Sequence, residues 1–185
     1  MANAYIVLSE GYEEIEFIAP VDILRRAKIA LKIVTLKNDL APVKSARGVM
    51  ITPEILLKNV RASDFDMLIL PGGWGGTVNM KENTGLLSLV KEACAQKKYL
   101  AAICAAPIVF VEAGIAKGRK MTSHPDTAEM MKDVVYQNGR VVVDDHFITS
   151  RGPGTAIEFA LKIVEILKSK EEATAVNTGV MAHLP

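Results

Sequence analysis

The sequence predicts an α/β fold in which a mostly parallel sheet is covered by helices on both faces. Apolar runs at 4–8, 66–70 and 99–103 lack regular polar alternation, which is typical of strands buried on both sides. Segments with helical spacing of apolar residues lie between these runs, so strands and helices alternate along the chain. In such sheets ligands bind beyond the carboxyl ends of the strands, so the residues after each run are candidate site residues.

Composition limits the class of protein. The 185 residues are enough for one hydrophobic core, and we expect a single domain spanning 1–185. Half of the residues are hydrophobic and 23% are charged, which is typical of a soluble globular protein. A formal charge of +1 without a basic block argues against nucleic acid as a partner. No stretch approaches the roughly 20 apolar residues of a membrane span, so we expect no membrane partner and no signal peptide.

The two cysteines, Cys94 and Cys104, form neither a disulfide framework nor a zinc-binding pattern. Free thiols favour a reducing compartment, and we expect a cytoplasmic protein. The sequence indicates no metal site and no organic cofactor.

The first part of the chain is predicted to alternate strands with helices and loops. Pro20 is expected to kink or divide the first helix, because a proline inside a helix removes a hydrogen bond. The predicted elements are a strand at 4–8, a helix at 14–28, a strand at 31–36, an irregular segment at 37–52 with a turn at Arg47-Gly48, a strand at 66–70 and a glycine-rich loop at 71–76.

The second part continues the alternation and ends in two helices. Thr155 and Glu158 have the spacing of a capping box, which predicts the start of a long helix. The predicted elements are a helix at 85–97, a strand at 99–103, a helix at 105–113, a short strand at 121–122, a short helix at 126–131, a hairpin of 141–143 with 147–149, a turn at 152–154 and helices at 155–167 and 170–178.

Cys104 is predicted to lie on a sharp turn between a strand and a helix. If the helix begins at about Ala105, Pro107 falls in its first turn, where the missing N–H has no intrahelical partner anyway. The positive end of a helix favours the thiolate, which is the nucleophilic form of cysteine. The N–H of Ala105 would also face an oxyanion formed by attack of the sulfur on a carbonyl. The alternative is that Cys104 is an inert buried side chain, as most free cysteines are.

The glycine-rich loop at 71–76 is not a phosphate-binding loop, because no Lys-Ser or Lys-Thr pair follows the glycines. A tight turn alone would explain the glycines. In the functional interpretation, the N–H of Gly73 is the second oxyanion donor beside Ala105.

Glu16 and His124 are candidate proton-transfer groups. Glu16 lies among apolar neighbours, so its carboxyl either faces water or is buried with a partner. Beside a thiol, a buried glutamic acid would have a raised pKa and could exchange protons with a substrate. His124 could be a base or a hydrogen-bond partner for Cys104, or simply a surface histidine; no acidic residue is placed to orient its ring into a triad. We expect structural roles for the remaining residues of this type, which are Cys94, His146 and His183.

Six motifs together resemble the ThiJ/PfpI superfamily, and most closely its parkinsonism-associated protein deglycase (DJ-one) branch. The resemblance extends over nearly the whole chain, and the motifs occur in the order that the family has. They are GYEEIE at 11–16, PVD at 20–22, LPGG at 70–73, AAICAAP at 101–107, TSHP at 122–125 and TSRGPGT at 149–155.

The resemblance implies a flavodoxin-like three-layer sandwich that forms a homodimer, with a nucleophile elbow between strand and helix. It implies Cys104 as the nucleophile, Glu16 as its protonated partner, His124 nearby, and Gly73 with Ala105 as backbone donors. Arg26 and Arg47 match positions at which the partner subunit contributes substrate-binding arginines. The branch often carries further cysteines near Arg47, whereas this chain has Ser45 and Thr52, so no redox role of those thiols is transferred.

One thiolate and one protonatable carboxyl favour a cofactor-independent glyoxalase, which converts methylglyoxal to lactate through a Cys104 hemithioacetal with Glu16 as proton shuttle. The resemblance also implies deglycation of early glyoxal adducts, so the expected partners are a small dicarbonyl or a glycated protein. A different class of function is an oxidative-stress sensor or redox chaperone in which Cys104 forms a sulfinate. A small cysteine peptidase or amidase is the weaker third possibility.

Overall fold

A central sheet of seven strands organises the structure, a computed structural model that describes residues 2–182 and 184. His183 therefore lies outside the described residues. The strands are β1 (Asn3–Leu8), β2 (Ala30–Thr35), β3 (Val43–Lys44), β4 (Met50–Ile51), β5 (Ile55–Leu56), β6 (Met67–Leu70), β7 (Tyr99–Ile103), β8 (Lys120–Met121), β9 (Val135–Tyr136), β10 (Val141–Asp144) and β11 (Phe147–Ser150).

Helices lie between most of these strands. They are α1 (Glu14–Arg26), α2 (Trp74–Glu82), α3 (Thr84–Ala95), α4 (Ile108–Glu112), α5 (Ala156–Leu167) and α6 (Lys170–Gly179). Short 3₁₀ helices occupy Leu57–Asn59, Ala62–Asp64, Pro125–Met130 and Pro153–Thr155. None of the described helices has the length and apolar character required to cross a bilayer.

The strand order in the central sheet is β10-β11-β7-β6-β1-β2-β5. β10 runs antiparallel to β11, whereas the other neighbouring strands are parallel. Two further pairs, β3 with β4 and β8 with β9, form small sheets outside it. The predicted mostly parallel sheet is confirmed.

Alternate residues of the central strands enter two separate cores. Ile6 and Leu8 of β1 pack in the same core as Phe17 of α1, together with residues of α5. Tyr5 and Val7 of the same strand enter the opposite core, which α2, α3 and α4 cover. Helices therefore cover both faces of the sheet, as predicted from the continuous apolar runs.

The register of the sheet brings the carboxyl ends of β1, β6, β7 and β11 to one edge. Leu70 of β6 pairs with Ala102 of β7, and Ile103 pairs with Ser150 of β11. The loops that follow these strands are therefore neighbours, although they are distant in the chain.

α1 is one helix that continues through Pro20, so of the two outcomes expected there, division does not occur. The boundary predicted after the glycine-rich loop was wrong. α2 begins at Trp74, inside the segment predicted to be a loop, because only Gly72 and Gly73 are needed to redirect the chain after β6.

The helix after Cys104 also begins later than predicted, at Ile108 instead of Ala105. The intervening residues form turns in which Ala106 N–H donates to Ile103 O (3.1 Å) and Val109 N–H donates to Ala106 O (2.9 Å). These bonds join residues three apart, so the α-helical pattern starts only after them.

The predicted capping box at Thr155 and Glu158 does not form. The Thr155 hydroxyl bonds instead to Ser150 Oγ (2.7 Å) and donates to Gly152 O (2.9 Å). Glu158 accepts a hydrogen bond from Arg140 at 2.7 Å. Both side chains of the motif are therefore engaged by residues that precede α5 in the chain.

Candidate active site

The backbone of Cys104 is held in a left-handed conformation at the end of β7. Its φ is +65°, which costs a residue with a Cβ roughly 1–2 kcal/mol. Its N–H donates to Ser150 O at 3.0 Å, and its carbonyl accepts from His124 N–H at 2.8 Å. The end of β11 and the loop that contains His124 thus maintain the strained turn, which matches the predicted elbow. Strain of this kind is concentrated at functional sites.

Glu16 extends from the first turn of α1 to the same edge of the sheet. Its side chain is fully buried. Oε2 accepts a hydrogen bond from Gly72 N–H at 2.9 Å, while Oε1 has no hydrogen-bond partner among residues 2–182 and 184. A buried oxygen without a partner is costly in its charged form, and it remains available to a proton or a ligand.

Gly72 lies in the contact between Glu16 and Cys104. A Cβ added at Gly72 would overlap Oε2 of Glu16 and would lie 2.7 Å from Cβ of Cys104. The absence of a side chain therefore allows the carboxyl and the cysteine to approach one another across the backbone of the loop. The sequence analysis named Gly73 but assigned no role to Gly72, although the paired glycines were a visible signal.

Gly73 and Ala105 present their N–H groups to the sulfur, and both N–H groups act to lower the pKa of Cys104. Gly73 has a φ of +87° and packs so closely that a Cβ would lie 2.5 Å from Gly11 O. The pair of donors comes from separate loops, one after β6 and one after β7. Two such donors at one position are what an oxyanion hole requires, and the role of this pair as an oxyanion hole remains a prediction.

The prediction of a Cys104 thiolate at neutral pH is not supported for the thiol considered alone. Burial raises the pKa of Cys104 to about 12, and the charge of the Glu16 carboxylate adds to this rise. α4 has only five residues and begins four residues after the cysteine, so its positive end contributes less than predicted. The prediction left out the cost of ionising a buried group.

The pKa of Glu16 is shifted in the predicted direction. Burial raises the pKa of Glu16 to about 7, against opposing interactions with the Cys104 side chain and the Gly72 N–H. When Glu16 is protonated, the negative charge that raises the thiol pKa is absent. Glu16 and Cys104 therefore compete for one proton and titrate as a pair.

The backbone N–H of His124 bonds to the carbonyl of Cys104, and the His124 ring is partly exposed. Its Nδ1 accepts a hydrogen bond from Asp126 N–H at 3.2 Å, which places the proton of the neutral ring on Nε2. The carboxylate of Asp126 is 3.5 Å from Nδ1 but is 86% exposed. A Cβ added at Gly152 would lie 3.5 Å from His124 Cδ2 and 3.9 Å from Glu16 Oε1, so the loop after β11 approaches both side chains.

The two candidate arginines bind acidic residues of α1 and of its N-cap, Glu13. Arg26 lies at the exposed end of α1 and donates to Asp22 at 2.7 Å. Arg47, in the turn between β3 and β4, contacts Glu13 at 3.4 Å and Glu14 at 3.3 Å. Their predicted role depends on a partner subunit and remains a prediction.

A cavity opens over the sulfur, so Cys104 is not sealed in the core. The sequence analysis missed part of its lining, because exposed side chains without catalytic chemistry carry no local signal. The lining residues are Trp74, Cys104, Ala105, His124, Asp126, Thr127 and Met130.

Cys94 and His146 also form a contact that the sequence did not predict. Sγ of Cys94 lies 3.6 Å from Nε2 of His146, and Nδ1 of His146 lies 2.9 Å from Oδ2 of Asp145. Burial raises the pKa of the Cys94 thiol. Across the described part of the chain, no group of three or more His, Cys, Asp or Glu side chains is arranged to hold a metal ion.

Comparison with known proteins places this geometry in a family. The chain matches the model of the DJ-1/PfpI family over residues 2–166. It is 41% identical over 181 residues to the protein dj-1beta of Drosophila melanogaster, covering 97% of this chain and 96% of the relative. It is 38% identical over 176 residues to a Caenorhabditis elegans protein named glutathione-independent glyoxalase DJR-1.2, covering 94% and 92%.

Solved structures agree with the sequence comparisons. The crystal structure of Drosophila melanogaster DJ-1beta has a TM-score of 0.93 and 42% identity, covering 97% of each chain. The structure of oxidized Toxoplasma gondii DJ-1 has a TM-score of 0.93 and 31% identity, covering 98% of each chain. These similarities confirm the flavodoxin-like class of the fold. The chain belongs to the DJ-1/PfpI family.

Proposed function

We propose that this protein is a cofactor-independent glyoxalase in which Cys104 is the nucleophile and Glu16 is the proton shuttle. The observation that carries the proposal is the buried Glu16 carboxyl, whose Oε1 has no partner within the described residues and whose pKa is raised by burial to about 7. A group that titrates near neutral pH can accept and return a proton within one reaction cycle. The name of the Caenorhabditis elegans relative supports the same reaction class.

The first step is addition of Sγ of Cys104 to the aldehyde carbon of a 2-oxoaldehyde such as methylglyoxal. A carbon–sulfur bond forms, the carbonyl double bond becomes a C–O single bond, and the product is a hemithioacetal. Glu16 accepts the thiol proton during the attack, so a free thiolate does not have to persist in the buried site. The N–H groups of Gly73 and Ala105 stabilise the negative oxygen as it forms. Glu16 then gives its proton to this oxygen, which completes the hemithioacetal and leaves Glu16 as the carboxylate for the next step.

The second step moves hydrogen between the two carbons of the bound substrate. Glu16 removes the proton from the former aldehyde carbon and returns a proton to the adjacent carbon, through an enediol. The aldehyde carbon is oxidised to a thioester and its neighbour is reduced to an alcohol, so no external oxidant is needed. Water then hydrolyses the thioester, which releases a 2-hydroxy acid and restores the thiol.

His124 and the two arginines have supporting roles in this proposal. With its Nδ1 occupied by Asp126 N–H, His124 offers the Nε2–H as a donor to a substrate oxygen. Arg26 and Arg47 would reach a neighbouring site across a homodimer, in which two copies of this chain share the substrate entrance. Deglycation of early adducts on proteins would use the same steps on a larger substrate.

Chiral analysis of lactate formed from methylglyoxal tests the proposal. The wild-type protein is expected to produce one enantiomer in excess, since Glu16 delivers the proton from one side of the enediol. Cys104→Ala and Glu16→Gln are expected to yield no more lactate than buffer does, and any residual product would be racemic. Racemic lactate from the wild-type protein would contradict the shuttle role of Glu16.

Oxidation of Cys104 is a second candidate function. The Toxoplasma gondii structure, similar over 98% of both chains, is described as oxidized. The N–H groups beside the sulfur would stabilise a sulfinate in this chain as well as an alkoxide. Conversion of Cys104 to the sulfinate by mild peroxide, together with no turnover of any dicarbonyl, would favour this function over the glyoxalase.

A further inference from the structure

Two large apolar side chains border the cavity over Cys104 and remain exposed. Trp74 is 55% exposed and Met130 is 45% exposed, and both line this cavity. Apolar surface beside a concave site that contains a nucleophile is typical of a surface that a ligand covers.

The position of Trp74 is fixed by the glycine-rich backbone beneath it. It is the first residue of α2 and directly follows Gly73, whose close packing against Gly11 O leaves no space for a Cβ. Gly76 N–H donates to Gly11 O at 3.2 Å, which fastens the first turn of α2 to the loop after β1. The indole is therefore attached to the same rigid segment that supplies an N–H donor to the sulfur.

The charge of the lining disfavours an anionic substituent beside Trp74 and Met130. The charged carboxylate in the lining belongs to Asp126, and within the described part of the chain the lining includes no lysine or arginine. A carboxylate or phosphate placed against Trp74 and Met130 would be repelled by Asp126 and would leave their apolar surface in water. A neutral apolar substituent would instead remove apolar surface of Trp74 and Met130 from water.

We propose that Trp74 and Met130 form an apolar subsite that makes the enzyme selective for 2-oxoaldehydes with aryl or bulky alkyl substituents. The inference rests on the proposed function, because the substrate must place its aldehyde carbon at Sγ of Cys104. An aryl substituent stacks on the indole while the N–H groups of Gly73 and Ala105 hold the oxygen. Trp74 is a specificity-determining residue in this arrangement.

The test compares kcat/KM for methylglyoxal, phenylglyoxal and 4-carboxyphenylglyoxal. The wild-type protein is expected to prefer phenylglyoxal to its carboxylated analogue. Trp74→Ala is expected to lower the ratio of phenylglyoxal to methylglyoxal kcat/KM by about tenfold, and Trp74→Phe to restore most of it. Met181→Ala, which removes an exposed apolar side chain after α6, is the control and should leave the ratio unchanged.

A second measurement does not require turnover. The rates at which Cys104 reacts with N-phenylmaleimide and N-methylmaleimide are compared in the wild type and in Trp74→Ala. The phenyl-to-methyl rate ratio is expected to fall in the variant, and an unchanged ratio in either assay overturns the inference. A wild-type protein that turns over none of the three aldehydes but shows the Trp74-dependent maleimide ratio would contradict the glyoxalase proposal and leave the subsite standing.

Discussion

Cys94 and Cys104 flank the same strand, β7, but they have different acid–base partners. Cys94, in α3, contacts His146, which in turn contacts the exposed carboxylate of Asp145. Cys104 lies against the fully buried carboxyl of Glu16. Each thiol thus has an ionisable neighbour, and burial raises the pKa of both thiols.

The difference between the two sites lies in the carboxyl group. The hydrogen bond with His146 lowers the pKa of the exposed Asp145, so this carboxylate stays charged at neutral pH. Burial instead raises the pKa of Glu16 to about 7, so that carboxyl changes its charge where the protein works. In the proposed mechanism, it is this burial of the carboxyl, and not the mere presence of an acid near a thiol, that makes Glu16 a proton-transfer group for Cys104.

The largest expected difference is in turnover. Cys104→Ala should reduce turnover of methylglyoxal by about 10³-fold or more, because removal of a nucleophile eliminates the covalent pathway. Cys94→Ala serves as the matched variant and should retain nearly all activity. Initial rates of dicarbonyl loss and lactate formation measure both. Loss of activity in Cys94→Ala with an intact fold would show that the two cysteines are not separated as described.

The next largest expected effect is on the pH dependence of the free energy of unfolding, compared between the wild type and Glu16→Gln. The folded pKa of Glu16, about 7, exceeds the ordinary value of 4.5, so its contribution is complete below pH 4.5 and is lost as the pH rises through 7. Glu16→Gln keeps an acceptor for Gly72 N–H without the buried charge. We expect this variant to be more stable than the wild type at pH 8 by up to about 3 kcal/mol, with the advantage vanishing near pH 4.5.

Urea unfolding of both proteins at pH 4.5, 6 and 8 measures this difference. Glu82→Gln, at the exposed end of α2, is the control for removal of a charge at the surface and should not change the pH dependence. Parallel stability curves for the wild type and Glu16→Gln would mean that Glu16 does not bind a proton in the folded state.

The rates of alkylation of Cys104 and Cys94 should differ by a smaller factor than the turnover rates of their alanine variants. Because Cys104 and Glu16 share a proton, iodoacetamide labelling of Cys104 should rise through about pH 7, the value at which the pair loses its first proton. Cys94 contacts His146 and has no buried carboxyl with which to share its proton, so it should react at least about tenfold more slowly at pH 7. Peptide mass spectrometry measures both rates in one sample.

The same experiment on Glu16→Gln sharpens the comparison. The rise in labelling of Cys104 near pH 7 should disappear, while labelling of Cys94 should be unchanged. Equal and slow labelling of the two cysteines at pH 6 in the wild type, or a step that persists without Glu16, would contradict the shared proton.

The sequence predicted the sheet and its two helical layers because apolar runs and helical spacing are local signals. It also predicted that the loops after Leu8 and Leu70 would meet at Cys104, since the carboxyl ends of parallel strands share one edge. The boundaries near Cys104 were less predictable: the left-handed backbone of Cys104 depends on bonds to Ser150 and His124, which are distant in sequence.

Features of the structure that depend on contacts between residues distant in sequence were harder to predict from the sequence. Gly72 is necessary because two side chains from other elements approach it, which spacing along the chain does not reveal. The capping box failed for a similar reason: Arg140, from before β10, engages Glu158. The raised pKa of the thiol likewise depends on the depth of burial, and a motif carries no measure of depth.

Segments that follow four strands distant in the chain meet around Cys104, from Glu16 near the beginning to Gly152 near the end. Few of these groups can meet before β1, β6, β7 and β11 have paired, and such non-local pairing forms slowly. During refolding from denaturant, catalytic competence should therefore return later than helical circular dichroism, and its recovery would report completion of the whole sheet.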